Sequence, residues 1–167
     1  MKRRKFMHAN FALGLAAAHK PLRAEETASS KRPQVCVYTE HFQSLPISDV
    51  CKIFKQMGVE GLDLTVRPGG HIAPENAKDE LPRAVQTARD HGLEIMMLTT
   101  GITTPDRHAE EILATCQQHG IQRIKIGYFG IGNFGQLSKR LDNVRRELDA
   151  VAKLAAKYDV LPCVHVH

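Results

Sequence analysis

The sequence predicts an α/β protein built on a parallel sheet. Between residues 34 and 167, apolar runs typical of buried strands alternate with segments whose apolar residues recur at helical spacing. Four helix-to-strand junctions look alike and recur after 34, 28 and 39 residues, each long enough for one βα unit: Met57-Gly58-Val59, His91-Gly92-Leu93, His119-Gly120-Ile121 and Tyr158-Asp159-Val160. A doubly wound sheet and a (β/α)8 barrel both fit this alternation, although the first loop lacks the G-x-G-x-x-G fingerprint of dinucleotide-binding folds.

Five strands are predicted, at 35–39, 61–66, 93–99, 121–127 and 160–167. The third is apolar throughout, as expected for a strand covered on both faces. An amphipathic helix follows each of the first four strands. Ser48 is expected to cap the first helix, and the second should start near Asp79 so that Pro82 falls in its first turn. A glycine-rich loop at 127–135 precedes the longest helix.

The basic charge is concentrated at the start of the chain. Six of the 23 Lys and Arg residues lie in residues 1–24, which contain no acid, so 17 basic residues remain against 18 acidic ones. This leader has a basic start, a modestly apolar run and a small-residue end, and it resembles a twin-arginine export signal. We expect an exported, periplasmic protein with a linker at 25–33 and no membrane association after leader removal. A disordered basic tail on a cytoplasmic protein is the alternative.

Four cysteines occur singly, with no C-x-x-C pair that would indicate a zinc or redox site: Cys36, Cys51, Cys116 and Cys163. Two fall in predicted strands and two on apolar helix faces. We therefore expect buried free thiols.

The stretch at 61–71 ends a predicted strand in a polar loop, because Pro68 and the two glycines after it cannot continue a ladder. It leaves Asp63, Arg67 and His71 near a strand's carboxyl end, where α/β proteins place their active sites. A guanidinium binds phosphate or carboxylate through two hydrogen bonds. These three residues are candidate substrate contacts. The alternatives are an outward-facing Asp63 and a salt bridge that fastens the loop.

Three more candidate substrate contacts lie near other strand ends. Glu40 and His41 follow the first strand, where a carboxylate beside an imidazole suits acid–base chemistry. Lys125 lies on the fourth strand, where an ammonium can bind the oxygens of a polar substrate, and the hydroxyls of Thr99 and Thr100 at the third strand offer the same kind of contact. A solvated loop pair and a snorkelling lysine are the alternatives.

Two histidines end the last predicted strand. His165 and His167 are two residues apart, so both imidazoles face one side, where they can chelate a divalent metal. A polar contact to a substrate and an incidental pair of histidines are the alternatives.

Three segments, 37–45, 57–71 and 120–128, together resemble the sugar phosphate isomerase/epimerase family with its xylose isomerase-like barrel. The most specific part is 63–71, Asp-Leu-Thr-Val-Arg-Pro-Gly-Gly-His, and the likeness runs from 34 to 167. The resemblance implies a partial (β/α)8 TIM barrel, of which residues 34–167 form the first five strands. It also implies a divalent metal (Mn, Mg, Co or Zn) and proton transfer next to the carbonyl of a sugar or sugar phosphate.

The chain is shorter than a complete barrel of this kind. About 250 residues are typical of the fold, whereas 143 follow the leader. We expect an N-terminal fragment or a truncated reading frame, with the later metal ligands and a second catalytic carboxylate beyond residue 167.

The expected function is therefore that of a sugar isomerase or epimerase. The first alternative is not an enzyme: it is a catalytically inactive remnant of a barrel that binds sugar or pairs with another chain. In the second case the protein would be an oligomer. An abasic-site endonuclease is a weaker alternative. The chain without its leader nets −1, whereas binding to a phosphate backbone usually needs a basic face. No nucleic-acid partner is expected.

Overall fold

A computed structural model describes residues 33–130, 132 and 134–165. The predicted leader, the predicted linker up to residue 32, and His167 lie outside the described residues.

Five strands form one sheet in the consecutive order β1-β2-β3-β4-β5: β1 (Cys36–Tyr38), β2 (Gly61–Val66), β3 (Glu94–Thr100), β4 (Arg123–Lys125) and β5 (Leu161–Cys163). All four neighbouring pairs are parallel. This confirms the predicted α/β class and its parallel sheet. The order of these strands lacks the reversal that defines the switch point of a doubly wound sheet.

Four helices connect the strands: α1 (Ile47–Met57), α2 (Ala77–Asp90), α3 (Arg107–His119) and α4 (Leu137–Lys157). Short 3-10 turns lie at Glu40–Phe42, Pro74–Asn76 and Phe134–Gln136. The start of α3 is capped by Asp106, whose Oδ1 accepts a hydrogen bond of 2.8 Å from the Ala109 amide. None of the described helices is long and apolar enough to span a bilayer.

Two predicted helix starts were wrong. Ser48 does not cap α1, since the helix begins at Ile47 after an extended Pro46, whose carbonyl accepts the first amide bonds. Pro82 lies inside α2 rather than in its first turn, because that helix begins at Ala77. The carbonyl that loses its helical partner belongs to Lys78, which is exposed, so water can satisfy it.

The core lies between the sheet and the helices. On β2, the side chains of Leu62, Leu64 and Val66 are fully buried against the helices. Phe54 of α1 and Leu81 of α2 pack into the same cluster. Because strand side chains alternate, Asp63 is directed to the other face of the sheet. The buried side of β2 therefore fixes the orientation of its one acidic residue.

The outer strands of the described sheet are less covered than the inner ones. Cys51 and Cys116 on the helices are buried free thiols, as predicted, but Cys36 on β1 is exposed and Cys163 on β5 is half-buried. The prediction of burial was wrong for Cys36, because β1 has a neighbour on one side only in the described sheet. Leu161, on the opposite outer strand, is 59% exposed.

Candidate functional site

A cleft of about 450 Å³ opens at the carboxyl ends of the strands. Its lining combines aromatic, acidic and basic side chains from the first four strands and from the segments that follow β1, β2, β4 and β5: Tyr38, Glu40, Asp63, Arg67, Thr99, Lys125, Tyr128 and His165. Clefts of similar volume, about 390 and 420 Å³, lie at the amino ends of the strands. Their charged residues, such as Glu94 and Arg123, are exposed. The carboxyl-end cleft is the better candidate, because it alone among these three contains a buried cation and a desolvated carboxylate.

The register of the sheet brings the cleft residues together. Tyr38 on β1 pairs with Asp63 on β2, and Thr99 on β3 pairs with Lys125 on β4. Residues that face each other across parallel strands point to the same side of a sheet. Consecutive strands therefore place a phenol, a carboxylate, a hydroxyl and an ammonium on one surface.

Asp63 is the acidic residue at the centre of this surface. The hydroxyl of Thr99 shares its proton between both carboxylate oxygens, at 2.9 and 3.0 Å. Burial raises the pKa of Asp63, since a low-dielectric environment disfavours the charged form. The hydrogen bond from Thr99 and the nearby charges of Lys125 and His165 oppose this shift. A carboxylate with a raised pKa is a stronger base than an ordinary aspartate, which suits proton transfer.

Lys125 is a buried cation beside Asp63. The residue is 8% exposed, and its ammonium lies 4.0 Å from the centre of the Tyr128 ring. The negative face of an aromatic ring attracts a cation at this distance. Both the Tyr128 ring and the Asp63 carboxylate therefore attract the ammonium of Lys125, which is one of the residues that line the cleft.

Glu40 accepts hydrogen bonds from two neighbours at the rim of the cleft. The Nη2 group of Arg67 and the phenol hydroxyl of Tyr38 both donate to its carboxylate. The bond from Tyr38, followed by the charge of Arg67, lowers the pKa of Glu40. Burial and the bond to Glu40 raise the pKa of Tyr38 to about 12, so this phenol stays protonated at neutral pH. The Arg67 guanidinium therefore forms a salt bridge with Glu40, and a salt bridge was the stated alternative to a substrate contact for this residue.

His71 and His41 do not line this cleft. The Nε2 of His71 donates to the Phe42 carbonyl at 3.2 Å, while its Nδ1 lies 3.1 Å from the Thr65 hydroxyl. The amide of His71 also donates to that hydroxyl, at 3.0 Å. This pattern fits a neutral imidazole that fastens the loop after β2. His41 is exposed and packs edge-on against the Tyr38 ring.

We predict that this loop loosens in mild acid. Burial holds the pKa of His71 below its usual 6.5, so the unfolded chain binds a proton in the window from about 6.5 down to the lower folded value. Stability should therefore fall as the pH drops through that window. The measurement is urea unfolding at pH 7.5 and about 5.5. In His71→Gln the fall should shrink, whereas in a control with the exposed His108→Gln it should persist; an unchanged pH slope in His71→Gln contradicts the prediction.

His165 lies in the cleft lining, and its predicted partner His167 lies outside the described residues. No three His, Cys, Asp or Glu side chains come together as a metal site within the described part of the chain. The ammonium of Lys125 also lies near Asp63, where it repels a second cation. The described residues therefore do not fit a divalent ion by themselves.

Sequence reasoning missed the role of Tyr38, which was assigned to the first strand without a function. Thr99 was named only as a hydroxyl near the strand ends that could bind substrate oxygens, and Tyr128 only as an aromatic wall of the glycine-rich loop. The signal that places Tyr38 and Thr99 in the site is strand alternation combined with register. Tyr38 lies opposite Asp63, and Thr99 lies opposite both Thr65 and Lys125, so each shares the face of a candidate residue.

No protein-family model matches the chain, and no curated protein matches it significantly. One solved structure of similar fold is the crystal structure of an uncharacterized protein from Parabacteroides distasonis ATCC 8503, with 14% sequence identity and a TM-score of 0.54. The match covers 80% of this chain and 53% of that chain, so this chain spans about half the length of the solved protein. At this identity the likeness concerns the fold alone.

Proposed function

We propose that the chain provides the first five βα units of a (β/α)8 barrel and acts as a sugar isomerase or epimerase. The observation that carries the activity is Asp63, a cleft-facing carboxylate whose pKa is raised by burial and which lies beside the buried ammonium of Lys125. Proton abstraction next to a carbonyl needs both a base and a positive charge near the developing oxyanion. The family resemblance around 63–71 supports the same assignment.

The strand arrangement supports the barrel part of this proposal. A (β/α)8 barrel adds its strands in chain order, and the strands here follow the order β1-β2-β3-β4-β5. The cleft lies at the carboxyl ends of the strands, where barrel enzymes place their active sites. Export by a leader at residues 1–24 belongs to the same proposal, and detection of a shortened chain in the periplasm tests it.

In the proposed reaction, the Asp63 carboxylate takes the proton from the carbon next to the sugar carbonyl. The electron pair of the broken C–H bond forms a C=C bond, the π pair of the carbonyl moves onto its oxygen, and the ammonium of Lys125 stabilises the resulting negative charge. Return of the proton to the former carbonyl carbon, together with transfer of the proton of the neighbouring hydroxyl to the original carbonyl oxygen, gives an isomer. Return of the proton to the opposite face of the same carbon gives an epimer. The overall step needs no external oxidant or reductant.

The experiment that tests the activity is solvent exchange. The purified full-length protein is incubated in D₂O with a panel of aldoses and ketoses, and proton NMR detects deuterium at the carbon next to the carbonyl. We expect exchange with the wild type, and a loss of about 10²- to 10⁴-fold in Asp63→Asn, the usual contribution of a general acid–base residue. Asp49→Asn is the matched control, because Asp49 pairs with Lys52 on the surface of α1.

Exchange that is equal in Asp63→Asn and in the wild type would remove Asp63 as the base. Sugar binding without exchange would instead favour the second candidate, a sugar-binding remnant, which the partly uncovered outer strands support. The same assay with EDTA or added Mn²⁺ tests the metal dependence that the family resemblance implies.

A further inference from the structure

The charges in the cleft balance. Its lining contains two carboxylates, Glu40 and Asp63, and two permanent cations, Arg67 and Lys125. His165 adds a positive charge only when it is protonated. The formal charge of the described lining is therefore zero when His165 is neutral.

Each of the two cations already has an anionic neighbour. The guanidinium of Arg67 donates to Glu40, which also receives the phenol of Tyr38. The ammonium of Lys125 lies under the Tyr128 ring and near Asp63. A negatively charged ligand that binds to either cation therefore also lies close to a carboxylate, which repels it.

A phosphate group is a poor fit to such a lining. A phosphate monoester carries about 1.5 to 2 negative charges at neutral pH and needs several donors. To reach Arg67 it must displace Glu40 or come to rest beside it, and like charges at close range are unfavourable. Uncharged hydroxyl groups, in contrast, accept from a cation such as Lys125 and donate to the carboxylate beside it without a change in charge.

We propose that the cleft takes an uncharged, unphosphorylated sugar, and that Glu40 excludes phosphorylated sugars by occupying Arg67. This inference rests on the proposed function, because it takes the ligand to be a sugar and names its class. The aromatic faces of Tyr38 and Tyr128 supply apolar walls for the carbon side of the ring. Glu40 is then a specificity residue rather than a catalytic one.

The test compares free sugars with their monophosphates on the full chain at pH 8, where an ordinary histidine is neutral. Isothermal titration calorimetry measures dissociation constants for free aldoses and ketoses, for the corresponding 6-phosphates and for inorganic phosphate. The wild type is expected to bind a free sugar at least about tenfold more tightly than its phosphate. In Glu40→Gln the released guanidinium should improve phosphate-ester binding relative to free sugar by about tenfold to a hundredfold, the usual effect of a charge-assisted hydrogen bond.

The chain contains a matched control for Glu40, namely a second glutamate that accepts hydrogen bonds from a cation and a phenol. Glu110 on α3 accepts hydrogen bonds from the Lys157 ammonium at 2.6 Å and from the Tyr158 phenol at 2.7 Å, as Glu40 does from a cation and a phenol. Glu110 does not line the cleft. Glu110→Gln should therefore leave the ratio of the two affinities unchanged. Arg67→Gln is a second variant, in which the uncompensated Glu40 should increase the discrimination against phosphate.

The outcomes separate the two proposals. Tighter binding of the phosphorylated sugar by the wild type overturns the inference and leaves the proposed sugar chemistry intact. An unchanged ratio in Glu40→Gln, or an equal shift in Glu110→Gln, overturns the assignment of specificity to Glu40. Binding of neither class of sugar overturns the proposed function and the inference together.

Discussion

Replacement of Leu64 with alanine is expected to lower the free energy of unfolding by about 2 to 5 kcal/mol, the usual cost of truncating a buried leucine. Leu64 is fully buried at the middle of β2, with the helices packed over it. Truncation leaves a cavity that rigid neighbours on both the sheet and the helices cannot fill by collapse.

Urea unfolding followed by circular dichroism measures this change. Leu141→Ala is the control, since Leu141 on α4 is 48% exposed and its truncation should change stability by no more than about 0.5 kcal/mol. Equal effects of the two substitutions would mean that the described core does not stabilise the chain.

Replacement of Thr99 with valine is expected to raise the pKa of Asp63 further above its usual range. The substitution keeps the shape of the buried side chain but removes the hydroxyl that donates to both carboxylate oxygens. A hydrogen bond to a charged group contributes about 1.5 to 3 kcal/mol, so its loss disfavours the ionised carboxylate.

NMR titration of the Asp63 carboxyl carbon measures this shift directly. Burial already holds the pKa of Asp63 above its unfolded value, so the folded protein loses stability as the pH rises through the folded pKa. Thr99→Val should extend the pH range over which this stability is lost to higher pH, because it raises the folded pKa. Thr115→Val is the control, because the buried Thr115 hydroxyl donates to the Glu111 carbonyl on α3 instead. A shift in both variants, or in neither, contradicts the assigned hydrogen bond.

The strand–helix alternation was predictable because it depends on short-range patterns. The predicted bounds of β2 agree with the structure, since apolar alternation starts at Gly61 and Pro68 with its glycines stops it. The helix starts were less predictable. The start of α1 depends on backbone carbonyls around Pro46 rather than on the Ser48 side chain, and propensity alone does not distinguish the two.

The candidate site was predictable in part. Position at a strand end identified Asp63, Arg67 and Lys125, which line one cleft. It did not separate them from His71, which follows the same strand but turns back to the Phe42 carbonyl. The direction of a loop side chain depends on contacts between distant segments, and a single sequence does not contain the register that creates them. Within 63–71, Asp63 and Arg67 therefore line the cleft, whereas His71 holds the loop in place.

The consecutive strand order also has a consequence for how the chain assembles. Each strand pairs with the one before it along the chain, so every pairing closes a loop of a single βα unit. Loop-closure entropy grows slowly with loop length, and chains dominated by such near contacts fold faster than those that must first join distant segments. During synthesis, β2 can pair with β1 as soon as it leaves the ribosome, and each later unit has a finished template to dock on.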